Sequence, residues 1–495
     1  MSKEKNAGEG KAAPVEGKAA PVEAAAVAVP LPRGQKRLVE IGCVCMMLSV
    51  SMYGLAFSTL TAPILASVDA IEYVGLFSIF AALGVSIMTP IGGKLGDLIG
   101  RRNIIVVPGL VCAAAGVAFA FSRSVGMLLA LRLVISLAQG AFTAAPYIIA
   151  GLINERKDVP RMMGFLAMAI AIGGFGGSIV AGILTDLGLM TVAMLLPAIP
   201  LLAGVALIGL NMPNQKKAGK VSIDVAGMVA LAVALCGILL SLNFAPSLGW
   251  GSPYILGGFA VGVAAILVLV RVEGRAAEPL IPLYLFRNRY YVALLVVGFI
   301  CYFYQPAMNV YAPIGALEVM GSSAAVAGAL QMPRMILVMA LPAVVGVWVA
   351  RRQENYWKAM AVATLLAGVP MLAMSLTSPE LPLAVYFVAL GLTGVAESFR
   401  SVSITPAAQA TLTPEDIGVG TSLVNFFNSL ASSVAAAVFA LTYNLKTAPD
   451  PTILANVQAG VNLTFLVAGV VSIVGLLVVL LVVRPQLRAA EAKES

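Results

Sequence analysis

Gly93-Lys94-Leu95-Gly96-Asp97-Leu98-Ile99-Gly100-Arg101-Arg102 interrupts a chain that is apolar on both sides of it. Upstream lies the apolar run 73–92 and downstream the run 104–122. Each is long enough to cross the bilayer hydrocarbon, roughly 30 Å that about 20 helical residues span. Between them stand Lys94, Asp97, Arg101 and Arg102, with glycines that let two helix ends turn tightly. A lone carboxylate among arginines can form a breakable ionic latch on neighbouring helix ends. This pattern of long apolar run, short charged turn and long apolar run predicts an all-α polytopic membrane protein.

Outward from this turn the pattern repeats, giving about fourteen spans: 38–64, 73–92, 104–122, 125–150, 162–184, 189–211, 225–245, 253–271, 292–314, 324–349, 359–377, 382–410, 418–443 and 461–483. Of the 495 residues, 60% are hydrophobic and 11% charged; a soluble domain has about 45–50% and about 25%. No water-soluble globule could enclose so much apolar surface, so lipid is the solvent. The chain has no histidine, which excludes His-ligated metals, Ser-His-Asp triads and imidazole proton relays. Cys43, Cys45, Cys112, Cys236 and Cys301 all fall in apolar runs and read as small buried hydrophobes, with no disulfide or metal expected. The first residues hold Gly-Lys-Ala-Ala-Pro-Val-Glu twice, from Gly10 to Glu23. That repeat predicts a disordered tail over 1–37 and no signal peptide.

The net charge is +8, and its placement explains it. If the amino-terminal tail and every second loop share one side, that side carries 26 of the 31 Lys and Arg residues. The other side carries Arg123 and Lys446, and Arg132, Arg334 and Arg400 lie inside spans. The bias follows the positive-inside rule with both termini cytoplasmic. Nucleic acid is not needed to explain the basic surplus.

The run Gly93 to Arg102 resembles the signature loop of the major facilitator superfamily, Gly-x-Leu-Ala-Asp-Arg-x-Gly-Arg-Arg, with Gly96 and Leu98 departing from it. The resemblance implies a conformational latch built from Gly93, Asp97, Gly100, Arg101 and Arg102. Three further stretches look like the fourteen-helix drug:proton antiporter branch of that superfamily: Glu278 to Arg287, Gly321 to Gly328 followed by Pro333, and Gly418 to Ser422. Gly173-Gly174-Phe175-Gly176-Gly177-Ser178-Ile179-Val180-Ala181-Gly182 resembles the antiporter motif, with Ser178 and Ala181 replacing its proline and a glycine; close helix packing explains the glycines equally well. That branch has an acidic residue about nine positions before a proline ending its first helix, but here Gly54 precedes Pro63. Arg132, followed by Gln139-Gly140, stands one helical turn from the superfamily's arginine position. The resemblance implies two six-helix bundles, 38–211 and 273–484, with two inserted helices in 212–272 and a cytoplasmic tail over 485–495. Pro342 to Arg352 echoes Pro90 to Arg102 with Ala350 in the place of Asp97, so the latch should be stronger in the first half.

Ionisable groups at membrane depth are costly and mark function by default. Glu397 and Arg400, three apart, share one helix face. They form either a self-neutralising pair or a coupling site in which a proton on Glu397, or a substrate, competes for Arg400. Arg334, next to Pro333, either bonds carbonyls freed by the proline or meets ligand. Arg132, Arg334 and Arg400 against Glu397 make three positive charges to one negative, an excess that favours an anion. Tyr302, Gln305, Asn309 and Asn425 suit a ring-bearing ligand, although such aromatics also pack helices.

The expected function is secondary active transport by alternating access of a small organic anion or amphipathic compound, with protons as the candidate coupling ion. The alternative is a multidrug:proton antiporter for cationic or lipophilic drugs. A monomer in the plasma (inner) membrane is expected. No catalytic constellation and no cofactor-binding motif is present, so no enzyme is expected.

Overall fold

Lipid offers no hydrogen bonds to the backbone, so a spanning segment must satisfy its own polar groups as a helix. The computed structural model describes residues 30–70, 73–214, 224–275, 281–414, 416–447 and 453–487, and those residues form helices and turns without a β-strand. Fourteen helical segments run in order: α1 Arg33–Ala66, α2 Val74–Ile99, α3 Asn103–Phe121, α4 Val125–Ile153, α5 Val159–Asp186, α6 Met190–Asn211, α7 Val225–Leu248, α8 Pro253–Glu273, α9 Arg289–Val319, α10 Met332–Ala350, α11 Glu354–Met374, α12 Leu383–Ala410, α13 Ile417–Thr447 and α14 Leu454–Leu487. Thirteen are long and apolar enough to cross a membrane, and α2 contributes the shorter apolar stretch Phe80–Gly96.

Several helices begin earlier than their apolar runs. α1 starts at Arg33, directly after Pro32, and α11 starts at Glu354. The helix continues past the hydrocarbon because Lys and Arg side chains can snorkel back along it to the interface. The tail expected over 1–37 is therefore helical from Arg33 onward, and its repeat lies outside the described residues.

Many helices are interrupted. α4 breaks at Ala144 beside Pro146, and α5 carries a π-helical turn over Ile172–Gly176. α9 breaks at Tyr304 and continues through π-helical turns over Ala307–Tyr311 and Gly315–Val319. A short helix Ala324–Ala329 ends at Leu330–Gln331 before α10 begins with Pro333 in its first turn. α12 breaks at Val402–Ser403 ahead of Pro406. Proline in a helix interior removes a hydrogen bond and crowds the preceding turn. π-bulges inside helices are frequent at functional sites.

One core gathers buried side chains from Val39 to Met212, in and between α1 to α6, and takes in Ile417 of α13. Two others gather Phe303 to Ala468 and Leu285 to Leu487, in the second half. α7 and α8 pack on each other, and their apolar face (Leu231, Leu235, Leu239, Leu269) meets Leu83 and Ile91 of α2 and Phe426 of α13. This pair lies along the line where α2 meets α13.

The halves close on each other at the basic ends of the helices. α5 and α10 interlock through glycines: a Cβ on Gly164 would stand 2.5 Å from the Pro342 carbonyl oxygen, and one on Gly346 would stand 2.5 Å from that of Pro160. α2 and α13 meet where a Cβ on Gly93 would fall 2.2 Å from Ser422 Oγ. Small residues are what let helices approach this closely in lipid, where no hydrophobic effect drives them together.

The same geometry governs packing within the first half. A Cβ on Gly92 would stand 2.2 Å from the Ala141 carbonyl oxygen, whereas one on Gly257 would meet nothing within 4 Å. Gly92→Ala is expected to cost about 1–3 kcal/mol by forcing α2 from α4. Gly257→Ala should be neutral or slightly stabilising, since alanine is the better helix former. Thermal unfolding of the two variants in detergent measures the contrast.

Candidate substrate and coupling site

α12 is 28 residues long and carries Glu397 near its midpoint, so this carboxylate sits deep in the bundle. It accepts a hydrogen bond from Arg334 Nη2 at Oε2 and, at 3.3 Å, one from Arg400 Nη2 at Oε1. The bridge from Arg400 follows from the helix itself, which places residues three apart on one face. The bridge from Arg334 needs a second helix brought close. Pro333 stands in the first turn of α10, where a missing N–H costs nothing, and Gly394 on α12 lets that turn approach: a Cβ there would lie 2.6 Å from the Arg334 carbonyl oxygen. The Arg334 side chain pairs with Glu397 on another helix, a partner that neither role read from sequence, carbonyl bonding or ligand contact, had named.

Arg400 lies face-on against Tyr302 of α9, 3.8 Å from its ring centroid. A desolvated guanidinium over an aromatic face gains about 2 kcal/mol. Both arginines are at least nine-tenths buried. One carboxylate faces two guanidiniums, so the cluster holds one net positive charge, and Nε of each arginine is buried without a hydrogen-bond partner. Buried polar groups are normally satisfied, and an orphan donor costs on the order of 1–3 kcal/mol. The cluster thus retains two donors that a further acceptor would satisfy.

Two further tyrosines stand near it, and of these sequence reasoning passed over Tyr147. Tyr304, buried at the break in α9, donates to the Thr393 carbonyl at 3.5 Å. Tyr147 of α4 lies within electrostatic range of Tyr302, Arg400 and Glu397. Tyr147 follows Pro146, and a polar aromatic beside a helix-breaking proline was the available signal.

The remaining candidates lie elsewhere. Arg132 is buried in the first half, roughly 10 Å along α4 from its less basic end, between the rings of Phe57 and Phe77 at 5.2 and 5.1 Å. Its Nη1 donates to the Tyr53 carbonyl at 3.4 Å, and it makes no ion pair among the described residues. Of the three buried arginines counted from sequence, Arg334 and Arg400 meet at Glu397 and Arg132 stands apart from them. Gln305 is half-buried, and Asn309 is exposed in the π-helical turn of α9. Asn425 is half-buried and bonds the Thr421 carbonyl of its own helix at 3.1 Å. None of these three joins the ionic cluster through a described contact.

The latch residues occupy the α2–α3 turn. Gly100 takes φ +100°, a conformation suited to glycine, and Asn214 bonds the Ile99 carbonyl beside it at 3.0 Å. The Arg101 guanidinium is buried against the first turn of α13, where a Cβ on Gly418 would fall 2.1 Å from it. Arg102 bonds Asn103 at 3.4 Å. The side chain of Asp97 lies outside the described residues. In the echoing turn of the second half, Arg351 and Arg352 are exposed. The glycines at 173, 174 and 177 face Leu48, Leu55 and Met52 of α1, which is the close-packing role. Among the described residues, no cluster of His, Cys, Asp or Glu could hold a metal.

The helical bundle keeps a partly neutralised charge cluster deep in its second half and is closed at its basic end. The chain belongs to the Major Facilitator Superfamily, whose sequence pattern matches residues 39–436. An MFS-type transporter of Mycobacterium tuberculosis (strain ATCC 25618 / H37Rv) is 28% identical over 72% of this chain, and the chain spans about half of that relative's length, 52%. Multidrug transporter protein MdtP of Bacillus subtilis (strain 168) is 23% identical over 84% of this chain and 76% of its own. The methylenomycin A resistance protein of Streptomyces coelicolor is 26% identical over 81% of this chain and 82% of its own. The fold is shared with the human organic anion transporter MFSD10, at a TM-score of 0.62 and 14% identity, covering 90% of this chain and all of that one. The POT family transporter PepTSo superposes at 0.57 with 17% identity, covering 93% and 99%. By its helices the chain is a multi-pass membrane member of that superfamily.

Removing the central carboxylate would leave two buried guanidiniums repelling each other. Glu397→Ala should destabilise the protein by about 3 kcal/mol or more, and Glu397→Gln, which keeps an acceptor, should cost less. Thermal melts at matched pH read both.

Proposed function

We propose that this transporter carries small organic anions or amphipathic compounds by alternating access, with Glu397 as the proton-coupling group. The observation that supports this is the Arg334–Glu397–Arg400 bridge with its two orphan Nε donors. While Glu397 is ionised, it competes with any incoming anion for both guanidiniums. Once protonated, it gives up that competition, and the cluster has a full two positive charges to offer a carboxylate, sulfonate or phosphate. Proton and anion then bind in favour of one another, which is the thermodynamic requirement for their moving together. Tyr302, stacked on Arg400, supplies a flat face for a ring next to the anionic group.

The names of the relatives favour a second reading, export of drugs by proton antiport. For a cationic drug the sign reverses: protonating Glu397 removes its counter-charge, so proton and drug exclude each other. The pH dependence of binding therefore separates the two.

The charge asymmetry of the loops supports cytoplasmic termini and a plasma (inner) membrane location. It makes the sealed basic end the cytoplasmic one, so the structure reads as a state open or opening to the other side. We read the chain as two six-helix units, 38–211 and 273–484, with the pair in 212–272 set between them, working as a monomer on small-molecule substrates without nucleic acid, cofactor or catalytic activity.

In liposomes with an imposed pH gradient, uptake of a transported anion should rise as the pH on the anion's side falls. Glu397→Gln should transport without that pH dependence, and Arg400→Ala should abolish transport in protein that remains folded. Unchanged pH dependence in Glu397→Gln removes the carboxylate from the coupling role, and full activity in Arg400→Ala removes the arginine from the site.

A further inference from the structure

We propose that Gln409 is the clamp that holds the basic end of the bundle shut, and that Tyr147 carries the state of the charge cluster to it. Gln409 lies in the last segment of α12, beyond the break at Val402–Ser403, and is buried. Its Nε2 donates to the Tyr147 carbonyl at 2.9 Å and to Thr421 Oγ1 at 3.1 Å. One amide thus ties α12 both to α4 in the first half and to α13 in the second. Gly151 makes room for it: a Cβ there would stand 2.7 Å from Gln409 Oε1. On the neighbouring residue, the Arg156 guanidinium donates to the Ala410 carbonyl and adds a second bond across the same seam.

Glycine interlocking at Gly93, Gly164 and Gly346 gives the seam its shape, but dispersion contacts between small residues are individually weak. A hydrogen bond is directional, weakening steeply with distance and angle, and at this water-facing end it is exchanged for water once the seam parts. Gln409 therefore gives the seam two states rather than a continuum.

Tyr147 is suited to transmit. Its carbonyl is the acceptor that Gln409 grips, and its ring lies in electrostatic range of Glu397, Arg400 and Tyr302. It stands in the short segment Ala145–Ile153, separated from the rest of α4 by the break at Ala144. A change of charge at the cluster shifts the ring, and the segment can turn about that break and alter the carbonyl's angle to the clamp. Coupling between two sites requires an element with two arrangements that both sites bias; the seam is that element. The clamp stands on its own contacts, and the transmission step rests on the proposed site.

The test is a distance measurement across the seam by electron–electron double resonance. Spin labels go on Glu155→Cys and Pro414→Cys, both exposed positions, in a cysteine-free background in nanodiscs. Gln409→Leu should raise the population with separated labels about fivefold, the change expected for a net hydrogen bond. Thr421→Val, which removes only the tie within the second half, should give a smaller shift in the same direction. Distance distributions identical to the parent in both variants overturn the clamp. Glu397→Gln, a fixed mimic of the protonated group, should separate the labels, and adding Tyr147→Phe should reduce that separation. If Glu397→Gln loses pH-dependent transport but leaves the seam distances unmoved, the transmission step is overturned and the site reading stands. If it moves the seam while pH-dependent transport persists, the site reading falls and the link through Tyr147 is judged by the double variant alone.

Discussion

An ion in hydrocarbon has no water to fall back on, and the arrangement of this bundle follows from that. A single carboxylate at mid-depth must be satisfied by groups on its own helix and on a neighbour, which brings α10, α12 and α9 together around Glu397, Arg334, Arg400 and Tyr302. Breaking a buried ion pair costs far more than the pair contributes to stability. Such a cluster is therefore poor as glue and good as a switch, because its occupants can be exchanged only for other ions.

The interruptions in the helices belong to the same logic. The breaks at Tyr304 and Val402–Ser403 fall in α9 and α12, and the one at Leu330–Gln331 directly precedes α10, the three helices that build the cluster. An unbroken helix carries its side chains at fixed spacing, whereas a broken one can aim two residues at a partner and turn its end separately. The break at Ala144 does this for Tyr147, leaving the two ends of α4 with different tasks: Arg132 packs between phenylalanines, and the Tyr147 segment faces the other half.

Composition and charge placement made the number of spans and the common side of the basic loops legible, because lipid imposes a length on every crossing and loop charge alternates with it. Within one helix, the Glu397–Arg400 pairing could be read from spacing alone. What could not be read was anything that depends on which helices are neighbours. Arg334 is 63 residues from Glu397, and nothing in their local patterns ties them. Arg132, on the same grounds, could not be separated from the other two arginines. Gln409 and Tyr147 escaped notice because a single amide and a single ring in apolar sequence carry no periodicity.

The position of α7 and α8 makes the two lines of contact between the halves unequal. Along α2 and α13 the pair lies over the join and packs against both helices. Along α5 and α10 no such cover is packed among the described residues, and Phe165, Ile336 and Val344 present their side chains outward. The surrounding bilayer thus meets a bare seam of two interlocked helices on one flank of the protein and a helical hairpin on the other, which gives the bundle a front and a back in the plane of the membrane.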